Sequence, residues 1–144
     1  SDIELTLLDG TQKRLNFLGE VCRGLKLQAH LVHERAEEAG RDKTMRERFD
    51  LAAARAVAAL PTLAEYCMPL VKMKGFFIAM KGPGALEELK EAANALDVLG
   101  SGEPEVLSRT LPGGEERNLV VCRKLRFTPR DYPRHGGTIA KHPL

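Results

Sequence analysis

Hydrophobic residues along the chain occur either in short continuous runs or in stripes with spacings of three and four residues. The runs predict buried strands, and the stripes predict helices that pack on them. The predicted strands are 4–8, 27–33, 49–54, 76–80, 105–111 and 118–124, and the predicted helices are 11–23, 36–48, 60–74 and 86–99. This alternation predicts an α/β fold with a mostly parallel sheet that is covered on both faces.

Two connections refine this fold. The helix that begins near Leu60 is expected to end at Lys74, with Gly75 as its C-cap. Pro112–Arg117 predicts a hairpin, so the last two strands are expected to be antiparallel. A doubly wound sheet that finishes in an antiparallel pair is more typical of methyltransferases than of dehydrogenases, although this is an analogy between folds only.

Composition divides the chain into residues 1–126, one domain, and a Pro- and Gly-rich tail, residues 127–144. From residue 123 onward there are six basic residues and one acid, a net charge of +5, whereas the whole chain is +2, so the rest is net acidic by three charges. The six are Arg123, Lys124, Arg126, Arg130, Arg134 and Lys141. This asymmetry is typical of a protein that binds an anionic macromolecule, but it also fits a solvated tail.

Asp9 follows the first predicted strand and is followed by Gly10 and Thr11. In doubly wound nucleotide-binding sheets, an acid at this position binds ribose, about 20 residues after a glycine-rich loop. Too few residues precede this strand for such a loop, so either the chain is a piece of a longer protein or Asp9 does not bind a cofactor. The alternative role for Asp9 is to cap the following helix.

Three other strand ends carry candidate ligands. Ala36 and Glu37 follow the second strand, where Glu37 is either a ligand group or an exposed acid at a helix start. Arg55 follows the third strand among small residues, and Lys81 follows the fourth. The two cations predict an anion-binding floor, unless each pairs with a nearby acid.

Other chemistry is not predicted by the sequence. His30 and His33 are three residues apart in a strand and therefore point to opposite faces. No metal-ligand spacing, nucleophile triad or pair of acid–base carboxylates is recognisable. No apolar run is long enough to span a bilayer, and the three cysteines fit reduced thiols, so we expect a cytoplasmic protein without a metal.

Taken together, several short motifs resemble the bacterial small-subunit ribosomal RNA guanine-N7 methyltransferases, the RsmG or GidB family. They are Leu7-Leu8-Asp9, Lys13-Arg14, Phe17-Leu18, Arg35-Ala36-Glu37, Ala54-Arg55-Ala56-Val57-Ala58, Met80-Lys81-Gly82-Pro83, Leu111-Pro112-Gly113-Gly114, Tyr132-Pro133-Arg134 and Lys141-His142-Pro143-Leu144. Each motif is weak alone, but their order and spacing are specific. The resemblance covers nearly the whole chain.

The resemblance implies a class I, Rossmann-like fold that uses S-adenosylmethionine to methylate N7 of a guanosine in 16S ribosomal RNA, naked or in a small-subunit particle. It implies Asp9, Gly10 and Thr11 at the ribose, Ala36 and Glu37 near the adenine, and Arg55 in the cofactor and target pocket. The family's first strand and glycine-rich loop are not in this chain, which implies a C-terminal part that is inactive alone.

Lys81 and the C-terminal residues Arg126, Arg130, Arg134 and Lys141 are the candidates for RNA contacts. Two other functions stay open at this point. One is a small-molecule methyltransferase of the same fold, and the other is a non-enzymatic α/β domain that binds nucleic acid.

Overall fold

The computed structural model describes residues 2–55 and 58–144. Strands and helices alternate over most of the chain, as predicted. The strands are β1 (Leu5–Asp9), β2 (Ala29–His33), β3 (Phe49–Arg55), β4 (Val71–Lys81), β5 (Glu105–Thr110) and β6 (Glu116–Arg123). The helices are α1 (Gln12–Gly24), α2 (Ala36–Ala39), α3 (Leu60–Cys67), α4 (Ala85–Glu91), α5 (Ala93–Leu99) and α6 (Gly136–Lys141).

The strands form two groups. β1 and β2 are parallel to each other, and the other four form a sheet in the order β3-β4-β6-β5. In this sheet β3 and β4 are parallel, whereas β6 runs antiparallel to both β4 and β5. The predicted antiparallel hairpin at the end of the chain is therefore confirmed. Among the described residues, β1 and β3 do not pair with each other, so each has one edge without a neighbouring strand.

The predicted end of the third helix was wrong. α3 stops at Cys67, a single 3-10 turn follows over Met68–Leu70, and β4 begins at Val71. Pro69 explains the stop, because proline has no N–H for the helical ladder and clashes with the preceding turn. Gly75 is not a cap but lies inside β4, where a Cβ atom would be 2.7 Å from the carbonyl oxygen of Asp50.

Two other predicted helices are shorter than expected. Only residues 36–39 of the predicted 36–48 helix are helical, and turns follow as far as β3. The long helix predicted over 86–99 is two helices that meet at Ala92 (φ −89°, ψ −2°). Residues 127–144 are mostly irregular, as expected, but they include the short helix α6, whose Ile139 is fully buried.

The core lies between the four-stranded sheet and the helices α3, α4 and α5. It is mainly aliphatic, with Phe77 as its one fully buried aromatic ring among the described residues. Cys67 and Cys122 are buried in this core as free thiols. Burial raises the pKa of Cys67 to about 12 and that of Cys122 to about 11. Both thiols therefore act as small apolar groups at neutral pH.

Two ion pairs attach the C-terminal part of the chain to the rest. The Lys124 side chain is fully buried, and its Nζ lies 2.8 Å from Glu47 Oε2 and donates to the Met68 carbonyl oxygen. Burial lowers the pKa of Lys124, although the hydrogen bond and charge of Glu47 oppose this shift. The fully buried Glu65 carboxylate lies 2.7 Å from Arg134 Nη2 and also accepts the Arg134 backbone N–H.

The Glu65–Arg134 pair generates a stability prediction. Arg134→Met should leave the buried Glu65 carboxylate without its partner and lower the free energy of unfolding of the complete protein by about 3 kcal/mol. We take the lower end of the usual range because the Arg134 side chain is 24% exposed. Chemical denaturation measures this change. Lys141→Met, at an exposed residue of the same segment, is the control, and equal effects of the two substitutions would contradict the prediction.

The two thiols generate a pH prediction. Their unfolded pKa is near 9.0, below the folded values, so the unfolded chain ionises first and stability falls as the pH rises above 9.0. Between pH 8 and pH 10, the free energy of unfolding should fall by about 2.5 kcal/mol less in a variant with both Cys67 and Cys122 replaced by Ala than in the wild type. Denaturation curves of both proteins at the two pH values measure this difference.

Lys124 changes the stability with pH in the opposite direction, but its contribution is the same in both proteins and cancels in the comparison. Because its folded pKa lies below the usual 10.5, it raises stability as the pH climbs toward 10.5, equally in both proteins. If the stability of the wild type and of the double variant depended on pH in the same way, the two thiols would not be the cause of the loss of stability at alkaline pH.

Candidate functional site

The predicted site residues follow the carboxyl ends of parallel strands. β1 ends at Asp9 and β2 at His33, and these two residues are partners in the strand register. β3 ends at Arg55 and β4 at Lys81, one residue beyond the register pair Arg55–Met80. In open α/β sheets, ligands bind at this edge.

Asp9 holds the turn between β1 and α1. Its Oδ1 accepts the Thr11 backbone N–H at 2.8 Å, and its Oδ2 lies 3.6 Å from Arg14 Nη1. The N-cap residue of α1 is Thr11, so Asp9 is not the helix cap that was its alternative role. It instead closes an Asx-type turn just before the helix. The carboxylate is 21% exposed, and two carboxylate oxygens have about four acceptor positions, so Asp9 can accept further hydrogen bonds.

The loop after β2 folds over Gly10. His33 Nε2 lies 3.1 Å from the Gly10 carbonyl oxygen, and Glu34 donates its backbone N–H to the Asp9 carbonyl oxygen at 3.2 Å. A Cβ atom on Gly10 would lie 3.4 Å from the side-chain carbon Cγ of Arg35. Sequence reasoning missed His33 and Arg35. Aligning the ends of the two parallel strands would have placed His33 beside Asp9.

The Glu37 side chain is mostly buried, so it is not the exposed acid at a helix start that was the alternative to a ligand group. Its side chain is 12% exposed, and its Oε1 lies 3.8 Å from Arg35 Nη1. The same carboxylate lies against Gly136 of the tail, residues 127–144, which is called the C-terminal segment from here on. Ala36, at the start of α2, is partly buried. The structure therefore links the loop beside Gly10 to Glu37 through Arg35.

Tyr66 is a polar neighbour of Glu37 that the sequence did not indicate. Burial raises the pKa of the Tyr66 phenol, the carboxylates of Glu37 and Glu65 raise it further, and Arg35 lowers it. The phenol is therefore neutral throughout the physiological range. Its pKa responds to the charges of Glu37 and Glu65, the two carboxylates that contact the C-terminal segment.

The two cations at the ends of β3 and β4 have different environments. Arg55 is exposed, and no ion pair of its guanidinium is found in the part of the chain that the structure describes. Its neighbours Ala56 and Val57 lie outside the described residues. Lys81 is only 4% exposed, and its Nζ lies 3.1 Å from Glu88 Oε1 and donates to the Ala58 carbonyl oxygen. Lys81 therefore pairs with an acid, which was the alternative to an anion-binding floor.

The four predicted RNA contacts near the C-terminal end of the chain also differ in their surroundings. Arg130 and Lys141 are exposed. Arg126 is half exposed and lies 3.0 Å from Asp97 Oδ1. Arg134 makes the internal pair with Glu65 described above. The structure therefore places Arg126, Arg130 and Lys141 at the surface, whereas the Arg134 guanidinium pairs with the buried Glu65 carboxylate.

The described residues contain neither a cluster of metal ligands nor a helix that could span a membrane. No group of three or more His, Cys, Asp or Glu side chains has the arrangement of a metal site within residues 2–55 and 58–144. In the same part of the chain, no helix is long and apolar enough to cross a bilayer.

Comparison with solved structures places the fold. The chain superposes on an rRNA methylase from Streptococcus thermophilus with a TM-score of 0.60 at 17% identity, over 85% of this chain and 74% of that one. It also superposes on a SAM-dependent O-methyltransferase from Thermotoga maritima with a TM-score of 0.58 at 9% identity, over 85% and 50% of the two chains. The predicted class I, Rossmann-like methyltransferase fold is thereby confirmed.

Sequence comparison is more specific. The chain is 47% identical over 145 residues to the ribosomal RNA small subunit methyltransferase G of Lactobacillus johnsonii, an alignment that covers 99% of this chain and 61% of that protein. The chain thus spans about three fifths of the length of the curated relatives it matches. The model of the GidB family, described as rRNA small subunit methyltransferase G, matches residues 1–120, and the chain therefore belongs to this family.

Proposed function

We propose that this chain is part of an enzyme that transfers a methyl group from S-adenosylmethionine to N7 of a guanosine in 16S ribosomal RNA. Its substrate is the RNA or the small-subunit particle, and its compartment is the cytoplasm, where that particle is assembled. Family membership supports RNA methylation. The observation that carries the proposal is the partly exposed Asp9 carboxylate, which retains acceptor capacity at the ligand-binding edge of the sheet.

The residues at this edge fit the adenosine part of the cofactor. A ribose presents two hydroxyl donors, and Asp9 Oδ2 accepts no hydrogen bond from the described residues; its ion-pair partner Arg14 Nη1 lies 3.6 Å away. Gly10 and Thr11 place backbone groups beside it, and Glu37 offers a second carboxylate near Ala36. Arg55 is an exposed cation at the end of β3, in the other group of strands, and suits the cofactor and target pocket.

The proposed reaction needs no general base from this chain. S-adenosylmethionine supplies an electrophilic methyl group. Guanine N7 carries a lone pair and no proton, so the protein has only to align the two reactants and provide a suitable electrostatic environment. Asp9 and Glu37 would hold the adenosine, and Arg55 would face the purine and its phosphate. The absence of a recognisable acid–base pair in the sequence is consistent with this chemistry.

The proposed RNA surface consists of Arg126, Arg130 and Lys141. These side chains are at the surface of the C-terminal part, where the chain is strongly basic. Phosphate contacts of this kind position the RNA and do not read its sequence. Arg134 and Lys81 remain candidates only if RNA binding breaks their ion pairs with Glu65 and Glu88, at a cost in stability.

Asp9 tests cofactor binding. Asp9→Ala in the complete protein should weaken binding of S-adenosylmethionine about 10- to 100-fold, because a charged hydrogen-bond acceptor is lost. Asp9→Asn should keep the acceptor for the Thr11 N–H and therefore the turn, yet still weaken binding. Titration calorimetry gives both dissociation constants.

Asp50→Asn, at an exposed acid near the opposite end of β3, is the matched control. If Asp9→Asn bound the cofactor like the wild type, Asp9 would only stabilise the turn, and the proposal that it binds the ribose would be wrong.

Salt dependence tests the RNA surface. If Arg126, Arg130 and Lys141 contact phosphates of single-stranded RNA, replacing all three by Gln should reduce the slope of log affinity against log salt by about 2. Affinity for S-adenosylmethionine should stay near normal. A control variant loses three other exposed cations, Lys90, Arg109 and Arg117, and so has the same net charge. Equal slopes for the two variants would mean that only net charge matters.

A further inference from the structure

The C-terminal segment lies against the carboxylate of Glu37. A Cβ atom on Gly136 would overlap Glu37 Oε1 and lie 3.1 Å from Glu37 Cδ. The next residue, Gly137, has open space in the same place, with nothing within 4 Å of its Cβ position. Two adjacent glycines of one short helix therefore differ completely in their surroundings. Only Gly136 must lack a side chain for Glu37 to keep its position.

Several hydrogen bonds fix the segment at this place. Glu65 binds the backbone N–H and the guanidinium of Arg134, two residues before Gly136. Arg41 Nε donates to the Pro133 carbonyl oxygen at 2.9 Å. Arg46 donates to three carbonyl oxygens further upstream in the segment, those of Thr128, Pro129 and Tyr132. Beyond Gly136, Ile139 is fully buried and Arg134 Nη2 donates to the His142 carbonyl oxygen at 2.9 Å. Because the backbone is thus held on both sides, a side chain added at Gly136 cannot be accommodated by moving the segment away.

The Glu37 side chain would have to move instead. Its contact with Gly136 involves the carboxylate, the far end of a flexible side chain, and rotating such a group costs little. A methyl group at Gly136 should therefore displace the carboxylate while the fold persists. If Glu37 contacts adenosine, that displacement appears as a loss of cofactor affinity.

We infer that Gly136 is a positioning residue for cofactor binding, and that the C-terminal segment forms one wall of the adenosine site through its contact with Glu37. This inference rests on the proposed function. It also gives the C-terminal segment two roles, because the same segment carries the exposed cations Arg130 and Lys141. RNA bound to these cations and cofactor bound beside Glu37 would then be held by one continuous element.

The test compares Gly136→Ala with Gly137→Ala in the complete protein. Neither glycine has a positive φ, so alanine strains the backbone at neither position. Gly136→Ala should weaken binding of S-adenosylmethionine about tenfold, since the Glu37 carboxylate is displaced. Gly137→Ala should change it less than about twofold. In turnover assays, the KM for the cofactor should rise with Gly136→Ala, while kcat and the KM for RNA stay near the wild-type values.

A double-mutant cycle with Glu37→Ala keeps the inference testable even if Gly136→Ala folds poorly. In the Glu37→Ala background the added methyl group meets no carboxylate, so Gly136→Ala should change neither the melting temperature nor the cofactor affinity further. An equal loss of affinity in both backgrounds, or equal effects at Gly136 and Gly137, would overturn the inference. So would Glu37→Ala with unchanged cofactor affinity. A wild-type protein that does not bind the cofactor would instead contradict the proposed function.

Discussion

The buried carboxylate of Glu65 is the constraint on which the arrangement of the C-terminal segment depends. An ionised carboxylate with no exposed surface must be paired and hydrogen-bonded, because desolvation of a lone charge is costly. Arg134 supplies both the charge and a backbone N–H. This pairing sets the position of the next two residues and brings Gly136 against Glu37. A segment that is rich in proline and glycine thereby becomes part of the packed domain.

The same requirement sorts the basic residues of the chain into two groups. Lys81, Lys124 and Arg134 pair with buried or partly buried acids, and the pairs of Lys124 and Arg134 connect elements that are distant in sequence. Arg130 and Lys141 remain exposed to solvent and are free to meet an anionic partner. Net charge alone does not distinguish these groups. Only the cations that the fold does not use internally are available to an anionic partner.

The main elements of the fold follow from local physics, and the sequence predicted them. Continuous apolar runs became strands, and the glycine-rich connection after Leu111 became an antiparallel hairpin. The errors lie where one local signal opposes another. The apolar stripe through Leu70 favoured a longer helix, but Pro69 ended it and β4 began at once. Gly75 resembled a helix cap, whereas the close approach of the Asp50 carbonyl oxygen explains a glycine inside the strand.

For the candidate site, the sequence by itself determined which residues follow the strand ends, because period and turn chemistry are local properties. Asp9, Glu37 and Arg55 were placed in this way, together with the family resemblance. Only the tertiary structure decided which side chains meet. The contacts of Glu37 with Gly136 and of Glu65 with Arg134 join residues that are distant in sequence, and no local pattern records such pairs. Their partners are chosen by the packing of the C-terminal segment on α2 and α3, which exists only in the folded chain.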